Sequence, residues 1–126
     1  MSPTTWKSVF RLLGLMVLID DRVYQEEVES FVSACIKLRD ILNPNMMFTR
    51  KMAFDWFLAH RDSLSEALQT QTIDTLLRTL ASGVEEKEEH VNILRALEMI
   101  AASDGHKHPR ELLILKKLAG IWNIRS

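Results

Sequence analysis

The sequence predicts an all-α protein, a single-domain bundle of about six or seven helices in two pseudo-symmetric halves spanning residues 1–126. Three observations carry that prediction. Apolar residues recur at helical spacing along most of the chain. No segment alternates with a period of two over a useful length, so strands are not expected. An acidic helix–turn–helix pattern occurs twice.

The first helix is expected from about Thr4 to Asp20. From Leu12 to Ile19 it is apolar nearly all round, the mark of a central, buried helix. Gly14 inside it reads as a point of close helix–helix packing. In the second helix, about Gln25 to Leu42, the residues Val28, Phe31, Val32, Cys35 and Ile36 form an amphipathic stripe. Asn43-Pro44 ends it, because the residue before proline is pushed away from helical angles.

The middle is less regular. Thr49 is placed to cap a helix over about Arg50 to His60. Asp62 or Ser63 is placed to cap a second short one, and a third runs near Ile73 to Leu80. Ser82-Gly83 makes a break. The acidic run after Val84 suits the positive end of the next helix, whose core stripe is Ile93, Leu94, Leu97, Ile100 and Ala101. That helix should end at Asp104-Gly105. The last starts at His108-Pro109, with proline in the favoured first position. It reaches about Trp122, with Leu112, Leu115, Leu118, Ala119 and Trp122 on one side.

Composition narrows the function classes. The chain is 47% hydrophobic and 26% charged, a globular profile, and its formal charge of -1 gives no pull towards nucleic acid or anionic lipid. Cys35 is the one cysteine, so no internal disulfide forms and a cytoplasmic location is expected. Its place on an apolar helix face reads as a small buried hydrophobe. The longest apolar run, Leu12 to Ile19, is eight residues against the roughly 20 needed to span a bilayer, so direct membrane insertion is not expected. The glycines are scattered, and no nucleophile sits with a base in any recognisable pattern, so no enzymatic activity is expected.

The doubled pattern carries the candidate chemistry. Asp20 and Glu27 are separated as Asp104 and Glu111 are, and each pair repeats with the same offset of 84 residues. In each copy the aspartate closes one helix and the glutamate stands in the first turn of the next. Carboxylates gathered at such a bend can hold a hard divalent cation through oxygen, and Asp21 adds one more to the first copy. The same glutamates can instead reach back to unpaired backbone N–H groups and the helix dipole, with no metal involved. The spacing does not follow the calcium loop of an EF-hand.

The segment from Leu15 to Leu38 resembles the first half of the tellurite-resistance TerB-like superfamily. Ile93 to Gly105, followed by Pro109, Glu111, Leu115 and Leu118, resembles its second half. The fold is also similar to the N-terminal domain of some membrane-associated J-domain co-chaperones. The resemblance implies a helical bundle of two related halves in a resistance or stress-response system. It also implies an acidic surface that binds or senses a divalent cation, with Asp20, Asp21, Glu27, Asp104 and Glu111 as ligands. The ion expected is calcium-like at the first acidic turn. In the second copy Lys107 and Arg110 oppose a hard cation, and His106 and His108 make zinc or nickel a weaker alternative. Independently of any metal, the acidic rim or Met46 and Met47, in the loop before the third helix, are candidates for contact with another protein. Phe54, Trp56 and Phe57 are expected in the core. The positive charges of the last helix do not outweigh the face it must bury, so nucleic acid is not an expected partner.

Overall fold

The structure, a computed structural model, describes residues 3–19, 24–103 and 109–124. These residues form six helices and no strand: α1 Pro3–Leu18, α2 Tyr24–Leu42, α3 Arg50–Thr70, α4 Ile73–Ser82, α5 Lys87–Ser103 and α6 Pro109–Ile121. No helix among them is long and apolar enough to cross a membrane.

The first helix is the centre of the bundle, as its all-round apolar surface requires. It packs against α2, α3, α4 and α6. Val9, Leu12, Leu13 and Leu15 are completely enclosed, or nearly so. Gly14 lies where α3 crosses: a Cβ there would stand 2.8 Å from Leu64 Cδ1. The expected stripe of α2 is largely inside, with Phe31, Val32 and Cys35 buried and Val28 and Ile36 partly so. The two helix pairs expected to be related, α1–α2 and α5–α6, meet through contact of α2 with α5.

The middle of the chain departs from expectation. Thr49 does cap α3, its side chain accepting from the Met52 N–H at 3.2 Å. The helix then runs unbroken for 21 residues, through Asp62 and Ser63. Ala53, Phe57 and Leu64 are buried, so one apolar face continues past the expected break. The Ser63 hydroxyl donates to the His60 carbonyl within the helix instead of starting a new one. A second true cap follows at Thr72, which accepts from the Thr75 N–H and opens α4.

Gly83 ends α4 with right-handed angles, so its role is spatial rather than conformational. A Cβ on it would fall 2.0 Å from Ser8 Oγ. Beyond it, α6 and the residue after it are pinned to this region. The Trp122 Nε1–H donates to the Ala81 carbonyl at 3.3 Å, and the ring stacks on His90 with centroids 4.7 Å apart. The His90 Nε2–H in turn donates to the Val84 carbonyl at 2.6 Å.

The expected face of α6 holds at Leu115, Leu118 and Trp122, with Ala119 packed against the core, and fails at Leu112. Glu111, Ile114, Leu115 and Leu118 point inward, while Leu112 and Leu113 are exposed. With Leu112 to Leu115 all apolar, periodicity does not set the rotation of this helix. The neighbours α1, α4 and α5 do.

Candidate functional site

Two groups of residues were candidates, the acidic bends and the methionine loop. At the bends, Asp20, Asp21 and Asp104 lie outside the described residues, as do His106 and His108. Glu27 and Glu111 are described, and both are buried, each at 5% relative exposure. They occupy the first turns of α2 and α6, as their matched spacing requires. The end of α1 and the start of α6 also approach one another, since Arg110 Nη1, beside Glu111, donates to the Ile19 carbonyl, 3.2 Å away.

Glu27 has a partner that the sequence did not indicate. Arg61, on α3, donates from Nη2 to Glu27 Oε1 at 3.0 Å. The pair crosses the α2–α3 interface, and the carboxylate is 7% exposed against 30% for the guanidinium. A buried carboxylate is tolerable when paired and hydrogen-bonded in this way. The pair is 34 residues apart in sequence, so no local spacing rule could have found it.

The divalent-cation expectation is therefore corrected. Among the described residues no group of three or more His, Cys, Asp or Glu side chains could hold a metal ion. A hard cation such as calcium takes six to eight oxygen ligands. The Glu27 oxygen that might have been one of them is directed into the bundle and neutralised by Arg61. Among the described residues neither a calcium-like ion nor zinc has a set of ligands, so neither is retained as a cofactor.

The methionine loop splits. Met46 is partly buried against the core, whereas Met47 is 86% exposed. The loop that displays Met47 is held on both sides. Arg39 Nη1 donates to the Phe48 carbonyl at 2.6 Å, and the buried Phe48 ring stacks on Phe10 with centroids 5.0 Å apart. Thr49 then starts α3. The aromatic group also divides. Phe57 is in the core, Trp56 is stacked between Phe31 and His60, and Phe54 faces outward. Met52 and Leu58 are exposed on the same helix. Phe54, Leu58 and Met52 were legible as apolar, but their outward direction depends on which side of α3 meets α1 and α2.

Beside Phe54 a groove of about 550 Å³ runs between α2 and α3. Gln25, Val28, Glu29 and Val32 line it from α2, and Arg50, Lys51 and Phe54 from α3. Cys35, by contrast, is not a site. It is fully enclosed, and burial pushes its thiol far above the ordinary range, so it stays protonated and unreactive.

No family model matches the sequence, and neither the curated proteins nor the solved structures contain a match to it, so no finding beyond the residues that suggested it supports the tellurite-resistance and stress-response description.

Proposed function

We propose that this chain is a metal-independent protein–protein interaction module with no catalysis of its own. One observation carries the reading: Phe54 and Leu58, one helical turn apart on the same side of α3, are both exposed, and Met47 is exposed in the loop before that helix. Isolated exposed apolar residues are ordinary, but a local concentration of them marks contact surfaces. Methionine and phenylalanine suit that role, the first by adapting to a partner's shape and the second by supplying a large rigid contact. The anchoring of the loop at Phe48 and Thr49 supports it further, since a fixed display lowers the ordering cost of binding.

Kinship with TerB-like proteins is proposed on the two quoted halves alone, and carries no metal with it. A reducing cytoplasmic setting suits the single buried thiol.

The test compares the full chain with the Met47→Asp, Phe54→Asp double variant as baits in host-cell extract, after matched melting curves show both folded. At least one protein should be retained by the first and lost by the second. Identical retained sets from both baits would remove the reading.

A further inference from the structure

We propose that the groove between α2 and α3 receives an amphipathic helix from a partner protein, with acidic side chains on the flank that faces α3. The inference rests on the interaction reading above and assigns that surface an occupant.

The floor of the groove is apolar. Val28 and Val32 stand one helical turn apart on α2, and Phe54 rises opposite them on α3. Val32 is buried, Val28 partly so, and Phe54 keeps a large part of its ring in solvent. Such a trough fits the apolar stripe of a helix, whose anchors repeat at i, i+3 or i+4, and i+7.

The charge along the α3 edge selects the chemistry of the occupant. Arg50 and Lys51 are both exposed and neither forms an ion pair among the described residues. Arg50 and Lys51 also stand in the first turn of α3, where the backbone dipole favours anions. Helices α2, α4, α5 and α6 place acidic residues there, whereas α1 and α3 place none. Two cations and a helix N-terminus thus sum to a positive edge beside an open apolar floor. Within the chain this arrangement is unfavourable, and aspartate or glutamate on a docked helix offsets it. Glu29, on the opposite edge, repels a second acidic flank and so sets which way round the helix lies.

The probe is a display library of helix-forming peptides with randomised apolar and charged faces, selected on the full chain. Enriched peptides should carry an apolar stripe flanked by Asp or Glu on one side. Their affinity, read by fluorescence anisotropy, should fall by about tenfold or more in Phe54→Asp and in the Arg50→Glu, Lys51→Glu double variant, and should weaken with added salt. Replacing the peptide's acids by lysine should restore binding to the charge-reversed protein, a gain that an unfolded variant could not produce. Peptides that show no acidic bias, or that bind both variants as tightly as the parent, overturn the groove assignment while leaving an interaction module in place. A library that yields nothing above background overturns the groove assignment as well, and the interaction reading then stands or falls on the comparison of baits.

Discussion

At the scale of single residues, the buried Glu27–Arg61 pair and the Gly83–Ser8 contact are the positions where one atom decides most. Removing Arg61 leaves a carboxylate enclosed at the α2–α3 interface with this partner gone. Arg61→Ala should therefore lower stability by about 1–3 kcal/mol, the lower part of the range because Arg61 keeps some solvent contact. Glu27→Gln, which removes the charge but keeps the shape, should cost less. Urea denaturation of the two variants orders them, and equal losses would show that the charge pairing is unimportant.

Gly83 is required for a close approach rather than for its backbone angles. Gly83→Ala should destabilise by about 1–3 kcal/mol through overpacking against Ser8. Adding Ser8→Ala removes the oxygen that the new methyl meets first, and should return a substantial part of the loss. A double-mutant cycle on melting data measures that coupling, and additivity would contradict the contact.

Cys35 gives a pH dependence whose sign follows from burial. Its thiol is held protonated in the folded chain, while in the unfolded chain it ionises in the ordinary thiol range. The unfolded state then releases the proton and the native state keeps it. The contribution is complete below that range and is lost progressively as pH rises through and above it. Cys35→Ala should be less stable at neutral pH because it leaves a small void, and should show a shallower fall in stability towards alkaline pH. Parallel slopes for both proteins would mean that the thiol ionises alike in the two states.

At the scale of elements, α3 distinguishes local from tertiary control. Thr49 was recognisable as a cap, and Thr72 caps α4 in the same way, because a hydroxyl before a helical run satisfies an otherwise unpaired N–H wherever the helix packs. Asp62 and Ser63 have the same chemistry and start nothing. Burial of Phe57 and Leu64 on one face keeps the chain helical between them. Ser63→Pro separates the two descriptions. In a helix that begins at Asp62, proline would occupy the favoured first position at little cost. In the continuous α3 it should cost about 3 kcal/mol or more and reduce the helical circular-dichroism signal. Near-neutral behaviour would restore two short helices.

The rotation of α6 shows the same division. The expected inward face was right at Leu115, Leu118 and Trp122 and wrong at Leu112, which falls in a run of four consecutive apolar residues. Contact with α1, α4 and α5 turned Glu111 in and Leu112 out. The Trp122–His90 stack and the bond from Trp122 to Ala81 then hold its far end.

At the scale of the whole molecule, α1 couples the parts. It touches α2 and α3 on one side of the chain order and α4 and α6 on the other, so neither helix pair keeps its core without it. Unfolding should therefore be a single transition. Tryptophan fluorescence reports from Trp6, Trp56 and Trp122, which lie in α1, in α3 and just past α6, and circular dichroism reports all six helices. Coincident midpoints from both signals are expected, and separated transitions would show that the helix pairs are independent.

The starts of α3 and α4 and the stop of α2 were written in the chain itself, because apolar periodicity, the Thr49 hydroxyl cap and the Asn43-Pro44 stop act over a few residues and need no neighbour. The matched placement of Glu27 and Glu111 was legible for the same reason. Only tertiary packing decided the length of α3, the inward turn of Glu111 and outward turn of Leu112 on α6, the pairing of Glu27 with Arg61, and the outward turn of Phe54 and Leu58. Each of these depends on which distant surface removes a side chain from water, and that surface is made by residues tens of positions away.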